Sequence, residues 1–140
     1  MKNLATNRGV FIYIVFTALT LGIYPLYYIH RVSVELNETC DADHKKTAGL
    51  LAYILLTILT FGIYAIVWQC LAVDRMAKYC ERYGLKPRLT VVSYLLWNLF
   101  GSMLFGLGPV IAMYKFLHMH NDINYDHNML MIELEKSIKR

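Results

Sequence analysis

Hydrophobic positions along this chain gather into three long runs. No Asp, Glu, Lys or Arg interrupts the chain from Gly9 to His30, from Thr47 to Val73, or from Leu89 to Tyr114. Each run reaches the length of about 20 mostly apolar residues that crosses a bilayer as a helix. The polar sequence left over is too short to cover three buried core helices. The pattern therefore predicts an all-α integral membrane protein.

Each run is broken once by glycine, in "LGIYP", "FGIYA" and "FGLGP". Gly weakens a helix interior by about 1 kcal/mol and Pro by about 3 kcal/mol, whereas Pro suits a first helical turn. Gly22 followed by Pro25 reads as the end of one helix and the start of another. The breaks belong to a repeat. Gly9, Tyr13, Thr17, Thr20 and Gly22-Ile23-Tyr24 return as Gly49, Tyr53, Thr57, Thr60 and Gly62-Ile63-Tyr64. A weaker third copy sets Trp97, Gly106, Pro109, Lys115 and Asn121 on Tyr13, Gly22, Pro25, Arg31 and Asn37. Such repetition means one supersecondary unit built several times. The single domain, 1–140, thus divides into units of about 8–44, 48–86 and 89–124, with 125–140 as an amphipathic tail. The residues that shape the breaks are Thr20, Gly22, Tyr24, Pro25, Thr60, Gly62, Tyr64, Gly106, Gly108 and Pro109.

Two architectures fit three tandem helix-break-helix units: three kinked spans, or three re-entrant hairpins with the breaks at their tips. If each unit spans once, the positive residues divide evenly between the two sides, and the positive-inside rule does not choose. Hairpins would bring all the charged segments to one cytoplasmic face. Their arms, though, would reach only about half of a 30 Å hydrocarbon core. Tyr27, Tyr28, Trp68, Tyr79 and Tyr114 cluster where apolar runs meet charge, as aromatic side chains do at a membrane boundary.

Composition agrees. Apolar residues make up 57% of the chain and charged residues 17%, with mean hydropathy +0.39. The net charge is +4. Its basic residues flank the apolar runs, which suits anionic lipid headgroups and gives no support to nucleic-acid binding. Arg31, Arg75, Lys78 and Lys115 are the expected headgroup or partner contacts. Lys2 and Arg8 make a basic start, but no small-x-small cleavage site follows, so the first run is expected to be retained. Cys40, Cys70 and Cys80 do not form a disulfide framework.

The blocks "TLGIYPLYYIHRVSVELN" and "TFGIYAIVWQ" resemble the small bacterial membrane proteins called domain of unknown function 4234, in which TLGIY blocks repeat. The third copy, "LFGLGPVIAMYKF", departs from that pattern at Leu104 and Gly108. The resemblance covers most of residues 8–124. It implies a multi-pass or re-entrant protein of a bacterial cytoplasmic (inner) membrane, and no catalytic residue.

Candidate chemistry is sparse. His118, His120 and Asp122 lie in "HMHNDINYDHN", and His and Asp are metal-ligand types, but the spacing matches no strong signature and a solvated helix is the plainer reading. "CDADHKK" offers the same weak signal. No phosphate loop, nucleophile elbow or paired-carboxylate motif occurs. No Asp, Glu, Lys or Arg sits within a run, which weakens an ion-coupled path. The leading expectation is a non-enzymatic integral scaffold or accessory subunit, without cofactor. It would touch lipid and a membrane-protein partner, or a second copy of itself, through basic aromatic faces. A small transporter, channel or lipid-perturbing protein with the Gly breaks lining a path is the alternative. A metal-dependent membrane enzyme using His118 and His120 is the third.

Overall fold

The computed structural model describes residues 3–140, so Lys2 lies outside it. The described residues form α1 (Val10–Leu19), α2 (Ile23–Thr39), α3 (Leu50–Leu59), α4 (Ile63–Arg82), α5 (Val91–Leu99) and α6 (Leu107–Ile138). A short apolar helix, a tight turn and a long helix thus follow one another three times. Each short helix packs antiparallel on the long helix after it, and the long helices α2, α4 and α6 contact one another. α3 also packs on α2, α5 on α4, and α1 on α6. The last contact closes the three hairpins into a ring.

α2 and α6 run in the same direction. Tyr28 meets Phe116 and His120, and further along both helices Glu35 meets Asn124. The core follows the turns by a similar interval in every unit: Tyr28 to Thr39, Trp68 to Cys80, and Ala112 to Asn124. Val32, Leu36, Val73, Met76, Phe116 and Ile123 fill its centre. The three turns consequently share one end of the molecule, and the charged loops lie at the other.

The first two turns are built alike. Thr20 Oγ1 donates to the Phe16 carbonyl at 2.6 Å and accepts from the Tyr24 N–H at 2.9 Å. Thr60 does the same with Leu56 and Tyr64, at 2.7 and 2.9 Å. One hydroxyl therefore closes the last turn of one helix and caps the first turn of the next. Gly22 and Gly62 take φ of 90° and 91°, a region open to glycine at little cost. In the third hairpin Leu104 and Gly108 replace the Thr and Tyr. Here Gly108 lies against the Gly101 backbone and the Trp97 carbonyl, so that a Cβ on either glycine would collide with backbone. Close helix approach replaces the hydroxyl bridge.

The expectation of an integral membrane protein, as kinked spans or re-entrant hairpins, is corrected. No helix among the described residues is long and apolar enough to cross a membrane. The charge-free runs do not continue through their glycines. They fold back, leaving α1, α3 and α5 at 10, 10 and 9 residues. At 1.5 Å per residue such a helix is about 15 Å long. α6 has 32 residues, but Lys115 follows soon after its start.

Candidate functional site

Two features stand out: an apolar end made of the three turns, and a polar layer that locks the units together beneath it.

At each turn the residue before the glycine is bulky, apolar and left-handed. Leu21, Phe61 and Phe105 take φ of 51°, 51° and 52°, a conformation uncommon for large side chains. These three are also 94%, 98% and 102% exposed. Leu19, Ile23, Leu59, Ile63, Leu104 and Leu107 surround them, all exposed. A monomeric soluble surface rarely presents a contiguous apolar patch of this kind.

The polar layer is organised by Glu35, a buried residue of α2. Arg8 donates to both its oxygens, Nη1 to Oε2 at 2.8 Å and Nη2 to Oε1 at 2.6 Å. Arg31 adds a bond to Oε1 at 2.6 Å and Asn124 one to Oε2 at 2.7 Å. Burial alone would push the Glu35 carboxyl up, but His120 and the Arg8 guanidinium overcome it and hold the carboxyl well below the usual range. Burial depresses the His120 pKa, opposed by Glu35 and assisted by Arg8. The imidazole is thus neutral, and its Nδ1 lies 3.3 Å from Arg8 Nη1 and 3.2 Å from the Tyr28 hydroxyl. With Nδ1 accepting from these donors, the proton belongs on Nε2. Nε2 sits 3.2 Å from Glu35 Oε2, outside good hydrogen-bond alignment.

The chain leading into α1 is threaded along α6 by three asparagines. Asn128 pairs with both the N–H and the carbonyl of Leu4, Asn124 with the Ala5 carbonyl, and Asn121 with both backbone groups of Arg8. Asn37, the repeat counterpart of Asn121, pairs in the same way with Thr47 ahead of α3. Each such asparagine hands one unit on to the next.

Arg75 fills the second polar knot. Its guanidinium grips Asp43 through Nε–Oδ2 at 2.7 Å and Nη2–Oδ1 at 2.9 Å. It also donates to Asn37 Oδ1 and Thr47 Oγ1 at 2.7 and 2.9 Å. Burial acts to raise the Asp43 carboxyl, but hydrogen bonds from Arg75 and the Lys45 N–H bring it below its ordinary value.

Several sequence expectations move accordingly. Arg75, expected to contact headgroups or a partner, is buried and engaged with the loop ahead of α3. Arg31 turns to Glu35. Lys78 stays exposed beside Asp74, 2.7 Å away, and Lys115 lies over the Trp97 ring. The weak metal candidates do not converge. His120 is in the Glu35 network, His118 packs at an angle against Tyr114, and Asp122 pairs with Arg88. Among the described residues no group of three or more His, Cys, Asp or Glu is placed to hold a metal. Sequence reading missed Arg8–Glu35 because the partners belong to separate elements. The one available signal was the repeat, which sets Glu35 on Arg75, both on the core side of their helices.

Neither a curated protein nor a solved structure matches the chain. The family described as Domain of unknown function (DUF4234) matches over residues 8–53 and 48–122. These matches take in Arg8, the helices α1 to α5, the three turns and the first half of α6, and the chain is a member of that family.

Proposed function

We propose that the protein is a non-enzymatic scaffold that rests its apolar end on a membrane surface and offers its polar end to a partner protein. The observation that carries this reading is the trio Leu21, Phe61 and Phe105, each bulky, left-handed and almost wholly exposed at the same end. A large side chain in that conformation is locally unfavourable by about 1 kcal/mol or more. Strain of this kind belongs where an outside contact uses it. Charge is excluded from the short helices and the turns and begins again along the long helices. The buried ionisable groups are engaged in holding the units together, which suits a scaffold. The end of α6 past Asn128, with Met129, Ile132 and Leu134 exposed, is the surface left for the partner.

Flotation of the purified chain with phosphatidylcholine vesicles tests the reading. The wild type should rise with the vesicles. A triple variant, Leu21→Asn, Phe61→Asn and Phe105→Asn, should stay at the bottom while remaining folded, since Asn tolerates the left-handed region. A wild type that does not float, or a triple variant that floats equally well, overturns the proposal. Concentration-dependent self-association of wild type that the triple variant lacks, without flotation, would instead assign the apolar end to a second copy.

A further inference from the structure

Three clefts open where the chain ahead of a unit passes a long helix, and their charges differ in an informative way. The cleft of the second unit has a volume of about 430 Å³ and lies between the loop ahead of α3 and one face of α4. Along that face Tyr64, Trp68 and Leu71 come first, on the side of the turn. Lys78 and Arg82 follow, on the side of the base, and the loop brings Lys45 and Lys46 opposite them. All four cations are exposed. Lys78 has Asp74 beside it, and Asp43 is already occupied by Arg75.

The repeat supplies internal controls. The position of Lys78 is Glu38 in the first unit and Asp122 in the third; that of Arg82 is Ala42 and Asp126. Glu38 lines the cleft beside Asn3. Asp122 and Asp126 line a larger cleft, about 1170 Å³, beside Lys86 and Arg88. The larger space therefore carries mixed charge, whereas the second unit's cleft grades from an apolar, aromatic end to a cationic one. That gradient runs in the same direction as the molecule's own, from apolar turns to charged base.

We propose that this cleft binds one anionic phospholipid. Its phosphate would lie among Lys45, Lys46, Lys78 and Arg82, and its acyl chains would run past Leu71, Trp68 and Tyr64 toward the α3–α4 turn. Ammonium groups bind phosphate as point charges and guanidinium as a fork, and an aromatic wall suits the glycerol and upper acyl region. The inference rests on the membrane seating proposed above, but adds a defined site to it.

The test is native mass spectrometry of the full chain in a zwitterionic detergent, with phosphatidylglycerol or phosphatidylcholine added. One phosphatidylglycerol per chain should be retained, and phosphatidylcholine about tenfold less, because each cation near the phosphate favours the anionic lipid. The Lys78→Asp, Arg82→Asp variant, which copies the third unit, should lower phosphatidylglycerol to the phosphatidylcholine level. Lys45→Glu, Lys46→Glu should do the same from the loop side, which guards against misfolding of either variant. Both variants should still float with phosphatidylcholine vesicles. Equal retention of the two lipids, or wild-type retention by the variants, overturns the site. So does displacement by inorganic phosphate at equal concentration, which would make it a free-anion site. Loss of the site with flotation intact leaves the seating reading standing, and selective retention of one lipid without flotation removes the seating alone.

Discussion

Glu35 and Arg75 occupy the same position in successive units and carry opposite charges to the same task. Glu35 takes the guanidinium of Arg8, ahead of α1, on both its oxygens. Arg75 gives its own guanidinium to both oxygens of Asp43, ahead of α3. In the third unit Arg88, ahead of α5, reaches Asp122 of α6 at 2.5 Å. In each unit an arginine–carboxylate pair therefore ties the lead-in to the long helix, largely buried in the first two and exposed in the third, and its polarity is reversed in the second unit.

Removing one member of the buried pair should be severe. Glu35→Ala leaves Arg8 and Arg31 facing an empty buried site, and breaking such a pair destabilises by about 3–5 kcal/mol. The double change Arg8→Met, Glu35→Leu should recover most of that, since a buried pair replaced by apolar side chains is often neutral. Denaturant midpoints of the two variants check this; equal losses in both would show that the layer depends on charge itself. Asp122→Ala, in an exposed pair, should shift the midpoint by no more than about 1 kcal/mol.

The same network makes the fold sensitive to acid. The lowered Glu35 carboxyl contributes stability that is fully present above its unfolded pKa of about 4.3 and is lost as pH falls through its folded value. His120, lowered by burial, stays neutral in the fold while the unfolded chain takes up a proton below about pH 6.5. Both act in one direction. The melting temperature should fall as pH drops from about 7 toward 4, beginning with the histidine. His120→Gln should flatten the upper part of that fall and leave the lower part. A flat profile in the wild type would contradict the burial of His120.

The hydroxyl bridge at the turns has its own signature. Thr60→Ala removes both the bond to Leu56 and the cap on Tyr64, and should destabilise by about 1 kcal/mol. Thr60→Ser keeps both groups and should be close to wild type. Thermal melts of the pair distinguish the bridge from simple packing, because both variants lose the methyl and only Ala loses the hydroxyl.

At the apolar turns stability and membrane seating should part company. Asn at positions 21, 61 and 105 relieves left-handed strain and removes exposed apolar surface. The triple variant should therefore melt at or above the wild-type temperature even as it loses flotation. A marked loss of stability would mean that the three side chains support the fold.

Gly101 and Gly108 make the opposite case to Gly22 and Gly62. Gly22→Ala meets open space and suffers only from its φ of 90°, at about 1–2 kcal/mol. Gly108→Ala drives a methyl into the Trp97 carbonyl and the Gly101 backbone. Its loss should be larger, and should separate α5 from α6. Comparison of the two denaturant midpoints checks the order.

The sequence by itself determined the helical class, the three units and the place of each turn, because apolar runs, glycine and a repeated Thr-x-Gly-Ile-Tyr act locally. It also marked the charge-free end. It misled on membrane crossing, since the length of each charge-free run suits a bilayer, whereas the run doubles back at a left-handed glycine into two helices, neither of them long and apolar enough to cross. Ring closure of α1 on α6, the grip of Arg8 on Glu35, and the conversion of Arg75 from surface cation to internal tether were decided only by the tertiary structure. Each joins residues far apart in the chain, and nothing local in Arg8 or Arg75 announces which carboxylate the packed helices will bring to it.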